Sequence, residues 1–209
     1  MEKKYFIVLI VICSFYSTNA QVKVRAHQIF GLDFYQWFRN PYCSDCKNTS
    51  ESSSGSVFSS PLGVRVIVGE NNFSIGAEAA VNIGLFNLDL NGYKGLGAMS
   101  FPLLLKANFN GLSGLSKNKL IGFSIGGGIQ YSKTELFGLS KKYQELDRSF
   151  FPTYVGEIGI GGGVSGSSVV WNTRVGIGKN HAFVFNTGLV FYINYFKQKT
   201  KQSQPQLKS

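Results

Sequence analysis

Six charged residues sit singly inside segments that are otherwise apolar or glycine-rich: Asp33, Arg65, Glu78, Lys106, Glu157 and Arg174. Taken along the chain the signs run acid, base, acid, base, acid, base. Side chains of this kind, brought into one low-dielectric interior, neutralise one another as ion pairs or line a path for ions or a ligand. A second pair of reactive residues is Cys43 and Cys46, in the run PYCSDCK. Three chemistries are open to it: a disulfide closing a tiny loop, free thiols or a metal half-site, and a redox couple. The Ser-rich NTSESSSGS that follows is not the helix start a thioredoxin-like couple requires, and no further ligands lie nearby. The pair is therefore read as a candidate disulfide, Cys43 to Cys46, and no metal site or cofactor is expected.

Two histidines, His27 and His181, are the only imidazoles. A Ser/His/acid hydrolase acting on lipid would have to use His181 with the Ser-rich segment and Asp147, and nothing in their spacing orients a base. The reading is not an enzyme. Two glycine runs, SIGGGIQ and GIGIGGGVSG, superficially resemble phosphate-binding loops, but no helix pattern follows either, so nucleotide binding is not expected.

The elements that must hold the six charges are strands. From Ala182 to Phe196, Phe183, Phe185, Thr187, Leu189, Phe191, Ile193 and Tyr195 share one face, while Ala182, Val184, Asn186, Gly188, Val190, Tyr192 and Asn194 share the other. This period of two places large apolar groups on one side and small or polar ones on the opposite side. Similar alternation marks segments over residues 22–38, 57–69, 73–86, 96–109, 119–136, 151–164 and 168–178. In the first of these Phe30, Leu32, Phe34 and Phe38 share the outward parity. Glu70-Asn71-Asn72 reads as a tight turn. Residues 39–56 and 137–150 read as long loops, and 110–118 as a turn region.

Eight such strands predict an all-β chain, an eight-stranded antiparallel up-and-down transmembrane β-barrel. Its outward aromatics (Phe30, Phe101, Phe109, Tyr131, Tyr154, Trp171, Phe183 and Tyr195) would form interfacial girdles. A β-sandwich is the rival, and it would have to bury the same aromatic face against a second sheet. In the barrel all six charges fall on the inward parity. There the strands read acid, base, acid, base, then a neutral fifth strand with Ser124 and Gln130, then acid and base, then a neutral eighth strand with Asn186 and Asn194. Facing lipid, each charge would cost on the order of 2–4 kcal/mol near the midplane, less for acids. A barrel of eight strands is about filled by its own side chains, so the expected lumen is plugged.

The N-terminal segment sets the compartment. Lys3 and Lys4 precede the apolar run Tyr5 to Cys13, and Thr18-Asn19-Ala20 offers small residues before Gln21. Residues 1–20 therefore read as a signal peptide, 21–196 as the barrel and 197–209 as a basic periplasmic tail. The apolar run is too short for a helical span of roughly 20 residues. Net charge is +10, and for an exported chain this excess suits outer-membrane lipid head groups or lipopolysaccharide phosphates better than nucleic acid, with a merely solubilising C-terminal tail as the equal alternative.

At Ser100-Phe101-Pro102-Leu103-Leu104-Leu105-Lys106 the chain is similar to the "hPLLLK" segment in the fourth strand of the Bacteroidetes-type outer-membrane β-barrel family. The glycine-rich strand at Gly122 to Gln130 and the aromatic C-terminal strand fit the same resemblance, which covers nearly all of the chain after residue 20. It implies a PorT-like or OmpA-like barrel of the outer membrane; a monomer is expected, and the chain departs from larger OmpA-type relatives in that no peptidoglycan-binding domain is expected after the last strand. The function expected is a structural or interaction role through extracellular loops, with envelope proteins as partners. The alternatives are an accessory subunit of a secretion or transport complex, such as type IX secretion, and a lipid-modifying barrel enzyme or narrow solute channel.

Overall fold

The computed structural model describes residues 23–42, 53–84, 86–87, 96–115, 120–138, 141–145, 148–164 and 167–194. The expected signal peptide, Cys43, Cys46, Asp147, Tyr195 and the basic tail lie outside the described residues.

Eight long strands follow one another: β1 (Lys23–Arg39), β2 (Ser60–Gly69), β3 (Phe73–Gly84), β4 (Leu96–Asn110), β5 (Ile121–Phe137), β6 (Phe151–Val164), β7 (Ser167–Ile177) and β8 (Phe183–Asn194). Each pairs antiparallel with its sequence neighbour, and β8 pairs antiparallel with β1 to close the sheet. The closing seam runs from His27 opposite Asn194 to Arg39 opposite Phe183. Closure removes the unpaired edges an open sheet would expose. The chain is thus an all-β, eight-stranded closed barrel, and apart from two three-residue 3-10 turns no helix occurs among the described residues.

Two further short strands, Ser53–Val57 and Phe86–Asn87, pair with each other, and the first also pairs with the end of β1. Part of the expected 39–56 loop is therefore wall. The rim carrying Arg39 and the β7–β8 turn is called upper here, and the rim carrying Lys23 and the β2–β3 turn lower. At the upper rim Asn180 and His181 take φ of 53° and 60°, the pair of positive values that a two-residue type I′ hairpin demands. At the lower rim Glu70 N donates to Phe73 O at 2.7 Å, closing the turn expected at Glu70-Asn71-Asn72.

Alternation decides which residues fill the barrel. Along β8, Val184, Asn186, Gly188, Val190 and Tyr192 are buried, and the intervening residues are not. One parity assignment fails. Phe38 shares its sequence parity with the outward Phe30 and Leu32, yet it is fully buried. Phe34 is an extra residue in the β1–β8 ladder, because Asp33 pairs with Gly188 and Tyr35 with Thr187. This bulge flips the face of everything beyond it. Above it Gln36 and Phe38 point inward, while Tyr35 and Trp37 face out against Phe185 and Phe183.

The inner space is layered. Phe38, Ala98, Leu104, Phe151, Val155, Ala182 and Val184 form an apolar layer toward the upper rim. Ile29, Leu112, Val170, Val190 and Tyr192 form another toward the lower rim. Leu112 comes from no strand. After Asn110, which has φ 54°, the chain makes a 3-10 turn over Gly111–Ser113 and folds into the lower mouth, with Leu112 and Leu115 buried. Ser113 Oγ donates to Asn71 O at 2.6 Å, Ser74 Oγ to Ser113 O at 2.8 Å, and Arg25 Nη1 to Gly114 O at 2.6 Å. The segment expected to be a simple turn is a stopper.

Candidate functional site in the lumen

Between the two apolar layers lies a belt of polar side chains built on strand register. Arg65 faces Glu78 across β2–β3, Lys106 on β4 faces Gly126 on β5, Gly126 faces Glu157 on β6, and Glu157 faces Arg174 on β7. Glycine at the fifth strand is what lets the chain of charges cross it, since the Lys106 stem occupies the space a side chain would take there.

Five of the six predicted charges form one continuous network. Arg65 Nη1 lies 3.7 Å from Glu78 Oε1, and Lys106 Nζ lies 2.7 Å from Glu78 Oε2. Lys106 also pairs with Glu157, and Arg174 Nε donates to Glu157 Oε2 at 2.7 Å. Arg174 Nη1 continues the network to Gln130 Oε1 at 2.9 Å. Every one of these residues is at least nine-tenths buried. Buried charges of one sign would be prohibitive, and the geometry here gives each carboxylate two cationic neighbours.

Asp33 is placed differently. It sits in the same lumen, but its Oδ2 accepts from neutral groups: Gln36 Nε2 at 2.7 Å, Asn82 Nδ2 at 3.1 Å and Ser59 Oγ at 3.4 Å. No cation lies within ion-pair distance of it among the described residues. From Arg65 to Arg174 the charges alternate in sign with the uncharged β5 between Lys106 and Glu157, and Asp33 stands apart from them with Gln36, Asn82 and Ser59 as its partners.

Tyr192 ties the network together and was not singled out from sequence. Its hydroxyl accepts from Lys106 Nζ at 3.0 Å and donates to Glu78 Oε2 at 3.2 Å. The Arg65 guanidinium lies over its ring, 3.5 Å from the centroid, a cation–π contact in a desolvated setting. The available signal was its size, a large side chain at an inward position of a strand whose other inward residues are small or medium. Gln36 was hidden by the bulge, and Asn82 and Asn172 were visible only as inward polar residues.

The central cavity bounded by Asp33, Asn82, Lys106, Glu157, Asn172 and Asn186 has a volume of about 20 Å³, room for about a single water. Toward the upper rim a smaller polar cluster adds to the filling: Arg148 Nε lies 3.3 Å from Glu135 Oε2, and Asn40 Nδ2 donates to Thr134 Oγ1 at 2.9 Å.

The histidines do not join the belt. His27 is buried at the lower mouth beside Gly114 of the stopper. His181 is exposed in the β7–β8 turn, and its carbonyl accepts from Arg39 Nε at 2.8 Å. The arrangement provides mutual neutralisation of charge inside a filled barrel. Neither a protein-family model nor a curated protein matches the chain.

Proposed function

We propose that this chain is a small integral outer-membrane β-barrel protein with a plugged, non-conducting lumen, serving a structural or interaction role through its upper-rim loops. The observation that carries this reading is the inversion of polarity across the wall. Inside are Arg65, Glu78, Lys106, Glu157 and Arg174. Outside, large apolar side chains stand open around the barrel, including Val64, Leu105, Tyr154, Ile160, Trp171 and Ile177, each at least half exposed. Soluble monomers rarely leave so broad an apolar surface in water; hydrocarbon would cover it at a gain of roughly 25 cal/mol per Å². Aromatic clusters near the rims, Phe73–Phe109–Phe123 below and Trp37–Phe183 and Phe101–Phe150 above, suit the two interfaces of a bilayer.

In this reading the upper rim, with the longer 39–56 and 137–150 connections, faces outward, and envelope proteins or lipopolysaccharide are the partners. The resemblance at Ser100–Lys106 belongs with it, because this segment supplies both an outward apolar row (Phe101, Leu103, Leu105) and the central lysine of the belt. Membership of the Bacteroidetes-type barrel family is part of the proposal.

Density fractionation of envelopes, with heat-modifiable migration of the extracted protein on gels, tests the reading. Co-sedimentation with outer membranes and faster migration before boiling are expected. Recovery in the soluble fraction would overturn it. In planar bilayers no steady current is expected, and large stable currents would contradict the plugged lumen.

A further inference from the structure

The outer wall is not uniformly bulky. Ala77 and Ala79 on β3 and Gly127 on β5 face outward, and they floor an apolar groove of about 510 Å³ flanked by Val66, Leu105 and Ile129. Nothing but a carbonyl approaches the place where a Gly127 side chain would be. At its upper end the groove meets Tyr131, which pairs across the ladder with Phe101. Phe101 packs on Phe150 at 5.5 Å, and Lys133 Nζ stands 5.7 Å from the centre of the Phe150 ring. An apolar slot thus runs down the wall from a rim that carries aromatic rings and a cation.

We infer that this groove seats one acyl chain of a phosphate-bearing membrane lipid whose head group is held at Lys133. The inference rests on the membrane reading above. Two features select that occupant. The floor offers no polar side chain that another protein's backbone or side chains could hydrogen-bond. The charge at the mouth is positive, next to rings of the type that settle at head-group depth.

The test is native mass spectrometry of the full detergent-extracted chain, loaded with dimyristoyl phosphatidylglycerol or dimyristoyl phosphatidylcholine. The wild-type protein is expected to retain a single phosphatidylglycerol about fivefold better than phosphatidylcholine, the scale of one lysine at a membrane surface. Ala79→Leu fills the slot on the lipid-facing side and is expected to abolish retention of both lipids. Lys133→Gln is expected to erase only the head-group preference. Equal retention by wild type and Ala79→Leu, no preference in the wild type, or a dimer that Ala79→Leu dissolves would each overturn the inference. Heat-modifiable migration of the same samples separates the two ideas. If it persists while lipid retention fails, only the lipid seat is lost; if it is absent from the wild type, the membrane reading falls with it.

Discussion

Lys106 Nζ lies 2.7 Å from Glu78 Oε2 and also contacts Glu157, so a single ammonium joins acids of β3 and β6 across the lumen. Its stem reaches that point because Gly126, opposite it on β5, has no side chain. Lys106→Met strips the middle cation from this chain and leaves two buried carboxylates with one arginine each. The expected loss is about 3–5 kcal/mol in urea unfolding from micelles. Adding Glu157→Gln removes one of the stranded acids, so the double variant is expected to lose clearly less than the sum of the singles. Strict additivity would mean that the two groups are not coupled.

The glycines of the wall divide into those that admit neighbours and those that face open space. A Cβ on Gly126 would stand 2.5 Å from Lys106 Cγ and 2.6 Å from Leu105 O, whereas one on the outward Gly156 would meet nothing within 4 Å. Gly126→Ala must displace the lysine stem and with it the ion pairs, an overpacking effect of about 1–3 kcal/mol. Gly156→Ala is expected to be neutral or slightly stabilising, because it reduces the freedom of the unfolded chain. Paired urea titrations decide, and equal effects at the two positions would refute the threading of Lys106 past β5.

The strand count, the order of the wall and the inward placement of the six charges were legible because alternation over ten or more residues is a long-range signal that survives local noise. Three things were not. The bulge at Phe34 leaves no mark in a two-residue period, since Phe and Tyr are both acceptable at either face near a rim. The inward fold of Leu112 depends on anchors at Arg25, Asn71 and Ser74, from strands far away in sequence. The partners of Asp33 follow from the same bulge, which turns Gln36 inward, and from the break at Ser59, whose N and O bond Asp33 O and N. Parity fixes a face, but not which neighbours a side chain meets on it.

The bulge therefore has a mutational signature. Phe38 is fully buried in the upper apolar layer with Val184 and Phe151, while Trp37 lies on the outer wall against Phe183 with ring centroids 5.5 Å apart. Phe38→Ala is expected to cost about 3–5 kcal/mol through the cavity it leaves. Trp37→Ala loses one ring contact, worth about 0.5–1.5 kcal/mol beyond area, and is expected to cost much less. Tryptophan fluorescence gives an independent check: if the barrel spans the bilayer as proposed, a lipid-soluble quencher should reach Trp37 in vesicles, as it should Trp171. Protection of Trp37, or a larger penalty there than at Phe38, would place the bulge elsewhere.

The stopper makes a different prediction, because it closes only one end. Leu112 is completely buried against Ile29, Val190 and Tyr192, so Leu112→Ala is expected to cost about 2–5 kcal/mol. It should also raise hydrogen exchange at the lower ends of β4 and β5 while leaving the upper ends unchanged. The lumen should nevertheless stay closed to ions. Above the stopper Lys106, Glu78 and Glu157 still meet across the centre, around a cavity of about 20 Å³, and Phe38 and Val184 lie beyond them. Planar-bilayer recordings of Leu112→Ala are thus expected to remain silent despite the loss of stability. Conductance appearing in this variant alone would show that the turn, and not the ion-paired belt, is what seals the barrel.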